Sequence, residues 1–230
     1  MSKELFSFKR FDVWQDRCAM KVGTDGVLIG AWAAGGKRIL DVGTGTGLIA
    51  MMMAQRFDDA CVEGIDIDAD ACRQAEENVG KTEFAARISI VHTSMQEHKG
   101  SYDAIVSNPP FFENSLKTPD NRRTLARHTD MLPVADIFRC SRRMLADDGC
   151  LSVIIPVEMF VRYEEEAAIQ GFFVSRLCRV KTVERKPAKR IMVTFTVTAP
   201  LTTEVEEHVL IDADGNRSEW YRHLTEKFYK

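Results

Sequence analysis

Apolar residues in this chain are concentrated in short runs, and most runs are separated by segments with a helical repeat. Five runs have the length and composition of buried strands, at residues 38–42, 61–66, 88–92, 102–106 and 149–155. In several of the segments between them, apolar positions recur every three to four residues, which predicts helices. Strands that alternate with helices are typical of a sheet covered on both faces. The pattern therefore predicts an α/β fold.

The carboxyl-terminal third has a different pattern. Two β segments, at residues 172–183 and 191–198, follow each other closely and predict a hairpin. A hairpin adds antiparallel strands to the parallel set, so we expect a mixed sheet of seven strands with helices on both faces.

We expect a single domain with three parts. Residues 1–37 form a leader with a helix, residues 38–198 form the core sheet, and residues 199–230 form an extension packed on the core. The chain has 230 residues, 45% of them hydrophobic and 28% charged, which is ample for one core. It has no signal-peptide core and no run of ~18 apolar residues, so we expect a cytoplasmic protein without a membrane segment.

The fourth apolar run is followed by Asn108-Pro109-Pro110-Phe111. This is the edge at which α/β sheets bind their ligands. A planar amino group is a poor nucleophile, so a catalyst has to hold its two hydrogens with two acceptors. The side-chain carbonyl of Asn108 and the main-chain carbonyl of Pro109 suit that task, and Phe111 suits stacking on a base. We assign these four residues as catalytic, with Asn108 also a candidate cofactor contact and with Phe111 and Phe112 against the substrate. A plain Pro-Pro turn after a strand is the alternative role of the motif.

The first apolar run is followed by a glycine-rich loop. Gly43, Gly45 and Gly47 have the spacing G-x-G-x-G, and Leu48 stands where the dinucleotide fingerprint needs its third glycine. Without a pyrophosphate to bind, the loop suits the amino-acid part of S-adenosylmethionine. A tight turn is the alternative role of such a loop. We place Asp41, in the preceding strand, among the candidate cofactor residues.

Other candidate cofactor contacts lie at the ends of the second and third runs and in the leader. Asp66 ends the second run, where a carboxylate accepts the ribose hydroxyls of an adenosine cofactor. Ser94 and Met95 follow the third run, on the side expected for the adenine. Thr24 and Asp25 begin a predicted helix whose amino-terminal dipole favours a carboxylate. Capping of that helix is their alternative role.

Charge limits the ways in which this chain can bind nucleic acid. The net charge is −3, so binding has to depend on local basic patches. One candidate patch lies within residues 179–190 and includes Lys186, Lys189 and Arg190. The other follows the Asn-Pro-Pro motif and consists of Arg122, Arg123, Arg127 and His128. A solvated surface is the alternative role for both patches.

The six cysteines form no C-x-x-C pair and have no histidine at ligand spacing. This pattern indicates neither a zinc site nor a disulfide framework. We therefore expect free thiols and no metal.

In chain order, the strand, glycine loop, acidic strand end and Asn-Pro-Pro-aromatic motif resemble the class I S-adenosylmethionine-dependent amino-methyltransferases. The resemblance is narrowed by four further stretches, at residues 8–11, 18–26, 126–128 and 224–229. These stretches are similar to the tRNA adenosine N6-methyltransferases that modify the purine 3′ of the anticodon in valine tRNA. The resemblance covers nearly the whole chain.

This resemblance implies a Rossmann-like class I methyltransferase fold, with S-adenosylmethionine as cofactor. It also implies methyl transfer to the N6 amino group of that adenosine. The implied partner is the anticodon stem-loop of tRNA.

Three alternatives remain open. Protein glutamine N5-methyltransferases and ribosomal RNA guanine N2-methyltransferases share the motif, because their acceptors present the same two-hydrogen problem. They usually carry an additional domain, whereas 37 residues precede Arg38 here. A catalytically silent module that binds S-adenosylmethionine or RNA is the non-enzyme alternative, and the intact Asn-Pro-Pro-Phe motif argues against it.

Overall fold

The structure is a computed structural model that describes residues 4–17, 21–110 and 132–230. The strands in these ranges are β1 (Leu5–Ser7), β2 (Asp12–Trp14), β3 (Arg38–Val42), β4 (Cys61–Asp66), β5 (Ile88–His92), β6 (Tyr102–Ser107), β7 (Leu145–Pro156), β8 (Phe173–Lys181), β9 (Arg190–Thr196) and β10 (Glu204–Val209). The α-helices are α1 (Thr24–Trp32), α2 (Leu48–Arg56), α3 (Ala69–Val79), α4 (Val134–Met144), α5 (Phe160–Ile169) and α6 (Glu219–Thr225).

The described residues form one eight-stranded sheet in the order β10-β8-β9-β7-β6-β3-β4-β5, and β1 pairs with β2 in a separate small sheet. Neighbours are parallel from β5 through β4, β3 and β6 to β7. β9 lies antiparallel between β7 and β8. The predicted α/β class, mixed sheet and terminal hairpin are confirmed.

The predicted number of seven strands is wrong by one. The additional strand, β10, pairs in parallel with β8 at the edge of the sheet. Its sequence, Glu-Val-Glu-Glu-His-Val, carries more polar than apolar positions. Hydrophobic patterning detects strands that cover a core, so it does not detect this edge strand.

Hydrophobic clusters cover both faces of the sheet. Ile39 belongs to the cluster under α1 and α2, whereas its neighbour Leu40 belongs to the cluster under α4 and α5. This alternation is the two-residue period of a strand buried on both sides. The leader and the tail both pack on the cluster under α1 and α2, where the ring centroids of Phe8 and Tyr229 lie 5.7 Å apart in a stacked arrangement.

The edge formed by the carboxyl ends of the parallel strands collects most of the candidate chemistry. The loops after β3, β4, β5 and β6 all emerge there, because parallel strands share one direction. β9 runs the opposite way, and its first residue, Arg190, pairs with Pro156 at the end of β7. The β8–β9 loop, residues 182–189, therefore lies at this same edge.

No helix in the described part of the chain is long and apolar enough to cross a membrane.

Candidate functional site

A cavity of about 780 Å³ opens at this edge of the sheet. Its volume is within the range of pockets that bind ligands of nucleoside size and larger. Five segments form most of its walls: residues 21–26 of the leader and the loops that follow β3, β4, β5 and β6. Leu48 and Ile49 of α2, Ala71 of α3 and Leu132 also line the cavity. The sequence-predicted residues on these walls are Thr24, Asp25, Gly43, Gly45, Asp66, Ser94, Met95, Asn108, Pro109 and Pro110.

The loop after β3 requires its glycines. Gly43, Gly45 and Gly47 have φ angles of 73°, 54° and 80°, in the left-handed region that other L-residues rarely adopt. A Cβ atom added to Gly43 would meet no other atom within 4 Å. Because Gly43 lines the cavity, that free space allows a ligand to approach the main chain closely.

The main-chain N–H groups of this loop are used within the protein. Those of Gly43 and Thr44 donate to the main-chain oxygen of Ile65, at 2.9 and 3.0 Å. That of Gly45 donates to Asp66 Oδ2 at 2.9 Å. A phosphate-binding loop directs such N–H groups at its ligand. The N–H groups of Gly43, Thr44 and Gly45 are therefore bonded within the protein, and what these residues offer a ligand is the open space over Gly43.

Asp41 and Gly47 lie behind the loop and do not line the cavity. The Asp41 carboxylate is fully buried and accepts hydrogen bonds from Thr44 Oγ1 at 2.7 Å and from the Ala50 N–H at 3.1 Å. Burial raises the pKa of Asp41 to about 7, although these two hydrogen bonds oppose the shift. Gly47 is the N-cap of α2. Both residues thus support the loop from behind, and the cofactor contacts expected for them stay predictions.

Asp66 is half-buried in the cavity wall and its two carboxylate oxygens already accept main-chain hydrogen bonds. Oδ2 accepts from Gly45, and Oδ1 accepts from the Asp68 N–H at 3.0 Å. A carboxylate has about four acceptor positions, so lone pairs remain for a ligand. The next residue, Ile67, is 53% exposed and also lines the cavity. Sequence reasoning missed Ile67, although an isoleucine directly after an acidic strand end was a usable signal.

The Asn-Pro-Pro segment is held at the end of β6. Ser107 is buried, and its hydroxyl donates to the main-chain oxygen of Val42 at 2.8 Å, which joins the end of β6 to the end of β3. Asn108 follows as a half-buried residue, Pro109 is buried and Pro110 is exposed. The segment therefore lies in one cavity with the glycine loop.

The leader contributes the opposite wall. Gly23 is the N-cap residue of α1, so neither Thr24 nor Asp25 has the capping position. Asp25 Oδ2 accepts a hydrogen bond from Arg190 Nε at 2.8 Å. Arg190 is thus in direct contact with a cavity residue, whereas the sequence predicted it to contact RNA.

The family model of the methyltransferase small domain matches residues 23–176, which include every segment of the cavity wall beyond the first leader residues. The chain belongs to this methyltransferase family.

One curated relative of this methyltransferase is 45% identical over 236 residues, covering 100% of this chain and 99% of its own length. It is the tRNA1(Val) (adenine(37)-N6)-methyltransferase of Parabacteroides distasonis. The family resemblance predicted from the sequence is confirmed.

Solved structures agree on the fold. A predicted O-methyltransferase from Agrobacterium tumefaciens superposes with a TM-score of 0.71 at 17% identity, covering 89% of this chain and 96% of that one. The geranyl diphosphate C-methyltransferase of Streptomyces coelicolor A3(2), in complex with S-adenosyl-L-homocysteine, superposes with a TM-score of 0.51 at 13% identity. The superposition covers 72% of this chain and 71% of that one. At these identities the likeness shows the fold alone, and it confirms the class I methyltransferase fold.

Of the two predicted basic patches, the one at residues 179–190 lies within the described residues and the other does not. Phe111, Phe112, Arg122, Arg123, Arg127 and His128 lie outside the described residues, and their roles stay predictions. In the β8–β9 loop, Lys186 and Lys189 are exposed. Lys181, just before the loop, is neutralised by Glu184 at 3.3 Å and Glu207 at 2.6 Å.

One group of three potential metal ligands occurs among the described residues, away from the cavity. Atoms of Cys178, Glu206 and His208 lie within 4.8 Å of one another. Burial raises the pKa of the Cys178 thiol to about 12, and Glu206 lies 3.7 Å from a guanidinium nitrogen of Arg176. A metal needs deprotonated ligands, so the protonated thiol and the competing guanidinium favour an ion-pair cluster here.

Proposed function

We propose that this protein transfers the methyl group of S-adenosylmethionine to the N6 amino group of adenosine 37 in tRNA1(Val). The observation that carries the proposal is the shared cavity of Asn108-Pro109-Pro110 and the glycine loop. Of the alternatives open from the sequence, the 45% identical relative that this chain matches along its whole length favours the tRNA adenosine.

The residues present fit the cofactor. The space over Gly43, the acceptor oxygens of Asp66 and the apolar surfaces of Ile67 and Met95 suit an adenosine with an attached amino acid. When bound, S-adenosylmethionine supplies an already activated methyl group, so the reaction needs no general acid. We assign the ribose hydroxyls to Asp66 and the adenine to Ile67, Ser94 and Met95.

The substrate adenine is assigned to the Asn108 side of the cavity. Asn108 Oδ1 and the Pro109 carbonyl each accept one hydrogen of the amino group, which orients its lone pair toward the methyl donor. Proximity and orientation then supply most of the rate enhancement. An amide side chain is a poor base, so a solvent water takes the proton released after transfer. Because adenosine 37 has to reach this cavity, it turns out of the stacked anticodon loop.

The tRNA phosphates are assigned to basic side chains at the same edge. Lys186 and Lys189 are exposed in the β8–β9 loop, and Lys21 is exposed on the rim of the cavity. With a net charge of −3, the protein needs such local patches to bind a polyanion. The anticodon stem-loop is the part of the tRNA that we expect to contact them.

The test uses labelled S-adenosylmethionine with bulk tRNA, followed by digestion and identification of the methylated nucleoside. N6-methyladenosine at position 37 of tRNA1(Val) is the expected product. Asn108→Ala should lower kcat by roughly 10²–10³-fold, with cofactor affinity unchanged. Asn216→Ala, at an exposed residue of a tail turn, is the matched control and should leave kcat unchanged. Label in ribosomal RNA, protein or guanosine would refute the proposal.

A further inference from the structure

Arg190 and Asp25 form an ion pair that joins two distant parts of the chain. Arg190 Nε lies 2.8 Å from Asp25 Oδ2, and the two side chains are 22% and 24% exposed. Asp25 belongs to the first turn of α1 and lines the cavity, whereas Arg190 is the first residue of β9. The pair therefore fixes the amino end of α1 to the edge of the sheet.

The charge of Asp25 calls for such a partner. The amino end of a helix carries a partial positive charge that favours anions. Asp25 places a carboxylate at that position in the cavity wall, where its orientation decides which charged group of an amino-acid ligand it meets. Arg190 neutralises Asp25 and, through the directed hydrogen bond from Nε, fixes the position of its carboxylate.

We infer that Arg190 is a positioning residue of the cofactor cavity, acting through Asp25, and that it is not an RNA contact. The inference rests on the proposed function for the identity of the cofactor. It separates Arg190 from Lys186 and Lys189, with which the sequence grouped it, because those two lysines are exposed and Arg190 is largely buried.

The test compares Arg190→Gln with Lys189→Gln, which removes the same charge from the adjacent exposed residue. The dissociation constant of S-adenosylhomocysteine is measured by calorimetry without RNA, and the KM for tRNA is measured at saturating cofactor. Arg190→Gln should weaken binding of S-adenosylhomocysteine roughly tenfold. Lys189→Gln should leave that constant unchanged and raise the KM for tRNA.

A second variant tests whether Arg190 acts through Asp25. In Asp25→Asn with Arg190→Gln, the Asp25 charge is removed together with its described partner, so cofactor affinity should recover part of the loss seen in Arg190→Gln alone. A residue with a purely structural role would give no such recovery. If Arg190→Gln does not fold, Arg190→Lys is used in its place; it keeps the charge without the guanidinium geometry, and it should weaken cofactor binding less than tenfold but measurably.

If Arg190→Gln leaves the dissociation constant of S-adenosylhomocysteine unchanged and raises the KM for tRNA, the inference is wrong and Arg190 is an RNA contact. The proposed function would not be affected by that result. Failure of the proposed function gives a different result. In that case the wild-type protein binds no S-adenosylhomocysteine, or it binds the compound and methylates an acceptor other than adenosine 37.

Discussion

The cofactor cavity has two walls that are held in different ways. The sheet wall consists of the loops after β3, β4, β5 and β6, and the leader wall consists of residues 21–26. Main-chain hydrogen bonds join the loops of the sheet wall, as from Gly43 and Thr44 to Ile65. Single side chains hold the leader wall: Gln15 Oε1 accepts from the Val22 N–H at 2.7 Å, and Arg190 donates to Asp25.

Because the two walls are held differently, variants of each wall should affect protein stability and cofactor affinity to different extents. Main-chain bonds between strand ends belong to the sheet and form whenever the sheet forms. Side-chain contacts to the leader can be removed one at a time, and most of the protein stays intact. Variants of the leader wall should therefore lose cofactor affinity with modest loss of stability, and variants of the sheet wall should lose both.

Asn78, in α3, connects the glycine loop of the sheet wall to β2 of the leader and is expected to give the largest effect. It is fully buried; its Oδ1 accepts from the Trp14 N–H at 2.9 Å, and its Nδ2 donates to the main-chain oxygens of Trp14 and Thr46 at 2.8 and 2.9 Å. Asn78→Ala leaves these partners unsatisfied, so the free energy of unfolding should fall by ~3 kcal/mol. Urea unfolding measures this, and calorimetry should show weaker cofactor binding.

Gln74→Ala is the control for Asn78. Gln74 Oε1 also accepts a main-chain hydrogen bond from the leader, from Arg17 at 3.2 Å, but the residue makes no described contact with the glycine loop. A smaller loss of stability and little change in cofactor affinity are expected. Equal losses of affinity in the two variants would show that the link from β2 to the glycine loop through Asn78 does not affect the cavity.

Asp41, which supports the glycine loop of the sheet wall, gives the stability of the protein a pH dependence. Burial raises the pKa of Asp41 from 3.8 to about 7. Between these values the folded state binds more protons than the unfolded state, so the free energy of unfolding falls as pH rises from about 4 to 7. Asp41→Asn should remove about 2 kcal/mol of this decline between pH 5 and 8. Parallel stability curves for wild type and variant would contradict the assignment.

Gly43→Ala tests the sheet wall at a position where the main chain is open to the cavity. A residue with a side chain at a φ of 73° should lower the free energy of unfolding by ~1–2 kcal/mol. Gly171→Ala is a matched control, because Gly171 has a φ of 74° and equally open surroundings but lies away from the cavity. Both variants should lose similar stability in urea unfolding, and only Gly43→Ala should weaken cofactor binding.

Glu77→Ala should have the smallest effect. Glu77 pairs with Arg17 of the leader at 2.7 Å, but both side chains are nearly half exposed, at 45% and 47%. Exposed ion pairs are screened by water and salt and often contribute nothing measurable. Melting temperature and cofactor affinity should stay at the wild-type values. A clear loss of affinity would mean that the leader wall depends on surface contacts as well as buried ones.

The sequence was sufficient to predict the class of fold and most positions on the sheet wall. Asp66 and Asn108 each end an apolar run, and parallel strands bring such ends to one edge, so local pattern and fold class together locate them. Their roles in binding and catalysis stay predictions. Phe111 and Phe112, on which the stacking prediction depends, lie outside the described residues.

The contacts that hold the leader could not be predicted in the same way. Asn78 and Trp14 are separated by 64 positions, and Arg190 and Asp25 by 165. A side chain that bonds a distant main-chain group leaves no period in the sequence, and an arginine near lysines suggests a basic surface. Arg190 was therefore grouped by its neighbours in the chain, although its position depends on the pairing of β9 with β7.

The eighth strand, β10, also affects whether the edge of the sheet can pair with a strand of another chain. β10 is the outermost strand of the described sheet on its side, and it carries Glu204, Glu206 and Glu207. A sheet edge with unpaired main-chain groups can recruit a strand from another chain, and charged side chains on that edge oppose such pairing. Glu206 and Glu207 are paired with Arg176 and Lys181 of β8, so the charged side chains of this edge are held against the neighbouring strand. β10 thus presents a charged edge that opposes pairing with a strand of another chain.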